Sequence, residues 1–452
     1  MRKTNVDMLS GPLLRNIVVF AIPVIIGSWM QLLFHAADVV VIGQFCGSTS
    51  VDAMGATGAV SGLIVNMFLG LSTGVSVTVA NAAGSGESDA TQKAVHTAVM
   101  TAIIGGLIVA LLGVPLTNPL LKLMGTPETV IGKSAIYMQI ILGGNIFSLL
   151  YNFGSAIMRA SGDSRRPLYF ITVSGALNVV LNLFFVLVLK LDVAGVALAT
   201  VMSNGVAAFL VLRSLSQRTD AFRLFFSRLA IHKEPIKKIL RIGIPSGVQA
   251  SMFAISNTII QSSINSFGEA MISGNTANCN INGFMDTAAT SFSVASINFV
   301  GQNMGAKNYR RVRRVIFTCF CTAASVGLVL GVATFVFSRP LLGLYITDSA
   351  EAIGYGLMRA KFTCIPYVFY AIYDVFSASL RGVGKSTLAM CVSLCGVGVA
   401  RVVWIYTVFA RFHTPEVLYL SFPVTWLLTG LLMGVCLLVS LRKLPVQGEA
   451  ES

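Results

Sequence analysis

Charge is what this chain has least of. Asp, Glu, Lys and Arg make up 11% of its 452 residues, and only 18 residues are acidic. Soluble globular domains carry about 25% charged residues. With 55% hydrophobic residues and a mean hydropathy of +0.79, the chain falls outside that class. Histidine is scarcer still. His35, His96, His232 and His413 are far apart and form no H-E-x-x-H pair, so the sequence holds no zincin-type metal motif. The eight cysteines are scattered through apolar segments, Cys319/Cys321 and Cys391/Cys395 among them. None forms a C-x-x-C with histidines at zinc spacing, so they read as small buried hydrophobes, and no metal or organic cofactor is expected.

What the chain has instead is a succession of apolar runs of roughly 20 residues, each long enough to cross a ~30 Å hydrocarbon core. Lipid offers no hydrogen-bond partners to the backbone, so such runs are helices or a closed barrel. Continuous apolarity, without dyad alternation, selects helices. Twelve spans are expected, near 13–43, 52–80, 93–116, 131–157, 168–189, 193–213, 237–265, 272–299, 312–337, 352–378, 387–410 and 416–441. The fold class is therefore an all-α integral membrane protein. Arg2 and Lys3 precede a first run too long for a signal h-region and followed by no cleavage site, so that run reads as a retained helix.

The 32 Lys+Arg residues are unevenly placed. With a cytoplasmic N-terminus, 24 fall in inner loops and tails and five (Lys122, Lys133, Lys190, Arg339 and Arg411) on the outer side. Arg359, Lys361 and Arg401 remain, written into helices. Such a bias places both termini in the cytoplasm, and it accounts for the net charge of +14 without a nucleic-acid partner.

The longest polar run, Arg213–Arg241, separates two apolar halves, and the second half repeats the first. Ile22–Pro23 matches Ile244–Pro245 at an offset of 222, Pro119 matches Pro340 at 221, and the loop from Arg159 matches the loop from Arg381 at 222. Offsets this constant indicate an internal duplication. Six spans per half is an even number, so both halves share one orientation, as in carriers built from two bundles. The expected organisation is an N-terminal six-helix bundle over 1–212, a cytoplasmic basic linker over 213–236, and over 237–452 a C-terminal six-helix bundle with a short cytoplasmic tail. The same alignment disposes of a tempting motif. GVGKST at Gly382–Thr387 resembles part of a Walker A loop, but Ser379 stands where a glycine is required and a helix precedes it. It reads as a turn between helices.

Asp38, Asp286 and Asp374 are the acidic residues written into spans. An ionised group at the bilayer centre costs on the order of 2.5–3.5 kcal/mol, so such groups tend to face a cavity and serve transport. Asp38 is the strongest candidate for an ion-coupling site. Gln31, Phe34, His35 and Asp38 share one stripe of helix 1, and Pro23 removes a backbone bond that lets this helix bend. Asn178 and Asn182 lie one turn apart in helix 5, and Thr200 lies about two turns into helix 6. All four polar groups reach a similar depth. An offset of 222 carries Asp38 to Ile260, Asn178 to Ala400 and Asn182 to Trp404, so the second half lacks this cluster. There, Asp286 and Arg401 are candidates for an interhelical pair and Asp374 for a solvated mouth or cap. Arg359 and Lys361 are expected to snorkel outward.

Several segments resemble the multidrug and toxic compound extrusion (MATE) family. They are the IleProVal helix followed by Asp38, the GIPSGVQ stretch Gly243–Gln249, the paired RASGDSRRP and RGVGKS loops, and Asn178-x-x-x-Asn182. The resemblance covers essentially the whole chain. It implies two pseudo-symmetric six-helix bundles that expel cationic or amphipathic compounds in exchange for protons or sodium, as a monomer in the inner or plasma membrane. By position it makes Asp38 the acidic residue that takes the coupling ion, Asn178 and Thr200 its polar partners, and Pro23 the kink. Gln31 and Phe34 become cavity wall, with His35 and Asn257 also assigned to the substrate cavity. Two departures stand out. Asn182 replaces an aspartate found in many members, and Phe253, Ser256 and Asn257 stand where some members have a helix-7 glutamate. The rival readings are a flippase for lipid-linked precursors, an integral-membrane enzyme, and a channel. No basic phosphate cavity, embedded catalytic set or re-entrant filter is evident in the sequence to favour them.

Overall fold

The structure is a computed structural model that describes residues 5–347 and 349–445. Arg2, Lys3 and the tail beyond Pro445 lie outside the described residues. Among the described residues every regular element is helical. The first half contains α1 (Leu13–Phe45), α2 (Ser48–Gly84), α3 (Ser88–Leu123), α4 (Glu128–Gly143), α5 (Asn145–Ala160), α6 (Arg165–Leu183) and α7 (Asp192–Ser216). The second contains α8 (Lys233–Asn265), α9 (Glu269–Gly305), α10 (Tyr309–Val336), α11 (Ser338–Gly343), α12 (Ala350–Thr363) and α13 (Tyr367–Gly382). It continues with α14 (Ser386–Ser393), α15 (Ala400–Trp404), α16 (Ala410–Phe412) and α17 (Pro415–Arg442). Leu394–Val399 and Ile405–Phe409 are π-helical turns that join α14 to α16 in one span, and Phe184–Val188 extends α6 in the same way.

The duplication is visible in the element lengths. Helices α1 and α8 both have 33 residues, and α2 and α9 both have 37. Two spans are bent, by 44° between α4 and α5 and by 50° between α12 and α13. Counting each bent pair once, ten spans among the described residues are long and apolar enough to cross a membrane. Helices α8 and α9 complete the expected twelve. They are long enough but more polar, because α8 carries Gln249, Ser256, Asn257 and Gln261 and α9 carries Asn275, Asn278, Asn282 and Asp286. Fold class and duplicated architecture are as the sequence indicates.

Turn chemistry follows the same repeat. Gly162 (φ +89°) and Gly384 (φ +86°) stand 222 residues apart, each ending a helix in the left-handed region where a side chain is strained. GVGKST is the turn from α13 into α14, as its repeat partner requires. Some helix starts are capped by side chains. Asn308 Oδ1 accepts from Arg311 N at 3.1 Å, and Thr414 caps α17 ahead of Pro415 at the first turn.

Packing divides the chain into two compact units. The first is built on Ile22–Ile244, and the second takes Asp7–Ala21 with Pro245 onward. The divisions fall beside Pro23 and Pro245, the repeat-related prolines inside α1 and α8. Lipid tails are as apolar as leucine, so helices inside a bilayer associate through close packing of small residues and polar contacts. In the first unit Gly154 lies against Val211, so that a Cβ there would sit 2.0 Å from the valine Cγ1 and bring α5 and α7 into collision. The basic linker is packed as well. Phe225 N donates to His96 Nε2 at 3.0 Å, His232 N donates to Thr97 Oγ1 at 3.0 Å, and Leu224 is buried in the first unit's core. In the second unit the chain before Pro23 is anchored by Phe20, set edge-on to Phe299, and by Asn303 Nδ2, which donates to Met8 O at 3.0 Å.

Candidate functional site

Helix α1 continues unbroken through Pro23 and presents Gln31, Phe34, His35 and Asp38 in the first unit. Gln31 and His35 are exposed, while Phe34 and Asp38 are half-buried. The approach of α1 to α6 depends on Gly175. A Cβ there would lie 1.9 Å from ring atoms of Phe34, so only a hydrogen at this position leaves space for the ring.

This approach brings four side chains from three helices into one hydrogen-bonded chain. Asn182 Nδ2 donates to Asp38 Oδ1 at 2.5 Å and to Asn178 Oδ1 at 3.3 Å. Asn178 Nδ2 donates to Thr200 Oγ1 at 3.4 Å, and that hydroxyl donates to Val196 O at 2.9 Å. Asn178 and Asn182 are buried. The carbonyl oxygen Asn182 Oδ1 is enclosed with no protein partner, beside the Asp38 carboxylate. Asp38, Asn178, Asn182 and Thr200 are thus neighbours in space. Chemically the chain offers one carboxylate, two amide carbonyls and one hydroxyl, a set able to take a proton or coordinate a hard cation through oxygen. Among the described residues no group of three or more His, Cys, Asp or Glu residues is placed to hold a metal.

The second unit departs from expectation in two respects. Asp286 and Arg401 do not pair with each other. Tyr367 Oη donates to Asp286 Oδ1 at 2.6 Å, while Arg401 donates to Thr425 Oγ1 at 3.2 Å and to Asn257 Oδ1 at 3.3 Å. Arg359 does not snorkel. Its guanidinium turns inward, is buried, and donates to Asn275 Oδ1 at 2.5 Å and to Cys279 Sγ. Neutral partners on other helices hold both arginines in place of a carboxylate. Lys361 is exposed. Asp374 accepts from Ser293 at 2.6 Å and lies 3.8 Å from Arg381. Asn257 belongs to this second unit, as a partner of Arg401, whereas Gln31, Phe34 and His35 lie in the first.

Two groupings escaped the sequence reading. Lys133 pairs with Asp192 at 2.6 Å, and Ser50 donates to the same carboxylate at 2.7 Å, tying α2, α4 and α7 together. Nothing in the local pattern joins those three positions. The inward face of α9 did carry a signal, because Asn275, Asn278, Asn282 and Asp286 recur at helical spacing inside a span.

A duplicated, multi-pass helical membrane protein with one carboxylate set into a polar chain in its first unit has the constitution of a carrier. Comparisons with known proteins give its family. The MatE family model matches twice, over residues 23–184 and 245–407. The chain belongs to the MATE family of membrane transporters and is not an enzyme. It is 28% identical over 396 residues to the "Probable multidrug resistance protein YpnP" of Bacillus subtilis, covering 87% of this chain and 88% of that one. It is also 28% identical over 297 residues to "Probable multidrug resistance protein YoeA" of the same organism, 64% of each chain. A solved structure described as an "Outward-facing conformation of a multidrug resistance MATE family transporter of the MOP superfamily" shares its fold, with a TM-score of 0.90 at 21% identity over 97% of this chain and 98% of that one.

Proposed function

We propose that this transporter is a secondary-active antiporter that exports cationic or amphipathic small molecules in exchange for protons, with sodium as the alternative ion. It acts by alternating access as a monomer in the inner or plasma membrane, with both termini in the cytoplasm. The observation that carries this reading is the hydrogen-bonded chain Asp38–Asn182–Asn178–Thr200, whose carboxylate stands on the helix that contains Pro23. The name of the YpnP protein, a probable multidrug resistance protein, supports drug-like small molecules as the cargo.

The geometry supplies a way to serve both states of the carboxyl. Asn182 donates its amide N–H to the charged form. Its partnerless carbonyl oxygen, after a half-turn of the amide, accepts from the protonated form. Either state is then hydrogen-bonded, and each favours a different amide orientation. A change of side-chain bonding at Asp38 biases α1 where Pro23 leaves a backbone carbonyl without its helical donor. Coupling needs no more than this differential stabilisation of two conformations. Sodium would use the same oxygens with the carboxylate still charged.

The test is efflux of a fluorescent organic cation from proteoliposomes under a pH gradient or a sodium gradient, with wild type and Asp38→Asn side by side. Uphill efflux driven by the pH gradient and lost in the variant is the expected result. Sodium-driven efflux lost in the variant keeps the site and changes the ion. Coupled efflux that survives Asp38→Asn overturns the assignment, and absence of transport under both gradients favours the flippase reading.

A further inference from the structure

The second unit contains a cavity of about 260 Å³, lined among others by Asn257, Asp286, Arg359, Tyr367, Arg401 and Trp426. Its charges do not balance. Arg401 is 0% exposed and Arg359 8% exposed, and both guanidiniums lie against the ring of Phe422, at 4.5 and 5.7 Å from its centroid. Two buried like charges on one ring call for anionic compensation, because an unpaired buried charge is strongly unfavourable. The cavity offers a single carboxylate, Asp286, and its Oδ1 is engaged by Tyr367. Neither arginine is within ion-pair distance of a carboxylate among the described residues.

Their hydrogen bonding is also incomplete. Arg401 satisfies Nε and Nη1 with Thr425 and Asn257, and Arg359 uses Nη1 on Asn275 and Cys279. Arg401 Nη2 and Arg359 Nε remain buried without a protein partner. A guanidinium presents its donors in a planar fork matched to a carboxylate. Phe253, Tyr370 and Trp426 line the cavity alongside Phe422, together with polar Gln261, Asn275, Asn282 and Thr363. A water molecule occupies about 30 Å³ in the liquid, so the cavity has room for about nine waters, the space of a small organic molecule.

We infer that this cavity is a binding site for a small aromatic monocarboxylate, whose carboxylate lies between Arg359 and Arg401 and whose ring packs against Phe422 and Trp426. One negative charge neutralises the excess of one that remains after Asp286 is set against the two guanidiniums. The site is wholly within the second unit and independent of the Asp38 chain. Asn257, Asp286 and Cys279 are exposed, so the cavity is not sealed within the unit.

Benzoate is the probe, with benzamide as its neutral isostere and benzylamine as a cationic control, on the full-length protein in detergent. Isothermal titration is expected to show benzoate binding at least tenfold tighter than either control, and at least tenfold weaker in Arg401→Gln and in Arg359→Gln. Should both variants fail to fold, wild type carries the test through alkylation of its exposed thiols, read by mass spectrometry. Benzoate should slow modification of Cys279, which lines the cavity, and leave Cys391 unaffected. Benzoate affinity in Asp38→Asn should equal wild type, which separates this site from the coupling site. Binding of benzamide or benzylamine as tight as benzoate, unchanged affinity in folded arginine variants, or unprotected Cys279 would each overturn the inference.

Discussion

Gly74 and Gly243 meet with no room for a side chain between them. A Cβ on Gly74 would lie 2.4 Å from Ile239 O and 2.9 Å from Gly243 N, and a Cβ on Gly243 would lie 2.7 Å from Leu71 Cα. The first turns of α8 are held against α2 backbone to backbone in the first unit. Since the obstructing atoms are main chain, no rotamer change can relieve a substitution. Gly74→Ala and Gly243→Ala are each expected to cost about 1–3 kcal/mol by overpacking. The check is a lowered thermal midpoint in detergent, with Gly47→Ala, where nothing lies within 4 Å, as a poor control because of its φ of +83°, and Gly132→Ala as the sound one.

The links of the Asp38 chain differ in length, and their removal should differ in consequence. Asn182 donates directly to the carboxylate at 2.5 Å, whereas Thr200 is three hydrogen bonds away from it, behind a 3.4 Å contact, and has Val196 O as a second partner. A hydrogen bond to a charged group contributes about 1.5–3 kcal/mol. Asn182→Ala should therefore reduce ion-coupled efflux about 10- to 100-fold, and Thr200→Ala by a few-fold at most. Initial rates in proteoliposomes decide the order, and a larger loss in Thr200→Ala would contradict it.

Phe34 and Gly175 make a size-for-size pair. Gly175→Ala drives a methyl into the Phe34 ring, and the obstruction is side chain rather than backbone. The single variant should lose stability and displace Asp38 from Asn182. Adding Phe34→Ala should recover part of the stability, so the double-mutant cycle is expected to give an interaction energy of about 0.5–3 kcal/mol. Additive losses would mean that the ring does not transmit the clash.

The linker should behave as a docked segment. His96 Nδ1 lies 2.7 Å from Gln92 O and Nε2 receives Phe225 N–H, so the neutral ring with its proton on Nδ1 satisfies both contacts. Arg223 and Arg228 both rest on the Phe225 ring, at 4.7 and 5.0 Å. His96→Ala should raise the rate of tryptic cleavage at these two arginines several-fold, measured by mass spectrometry. A second brace is Asp220. Burial raises its pKa, but the hydrogen bonds and charge of Arg218 outweigh that and hold it below 3.8. With a depressed folded pKa, the stabilisation is complete above 3.8 and is lost as the pH falls through the lower folded value. Acid protection of the linker should therefore persist to pH values below the ordinary carboxylate range in wild type and be absent in Asp220→Ala.

How much could be read in advance depends on the range of the interactions. Asp38 was legible because it stands in a helical stripe, and Asn178 with Asn182 because four residues make one turn. Their depths followed from counting along spans whose direction the basic loops suggested. Arg359 was misread because its inward turn depends on Asn275 and Cys279, more than 80 positions earlier for the first and 80 for the second. A charge near a helix end has the same local sequence whether it reaches to water or into the bundle. The Asp286–Arg401 pairing failed similarly, since complementary charge says nothing of whether Tyr367, Thr425 and Asn257 lie nearer.

By itself the sequence determined the helical membrane class, the duplication at an offset of 222, and the residues eligible for an ion site. Those properties follow from one-dimensional quantities: run length against bilayer thickness, backbone hydrogen-bond demand in lipid, and helical periodicity. Tertiary structure alone decided which polar groups touch, that the compact units divide beside Pro23 and Pro245, and that two arginines line one cavity. Contacts of that kind depend on close approach between distant helices, and in a bilayer that approach is set by packing of glycines such as Gly74 and Gly175, whose partners no local pattern names.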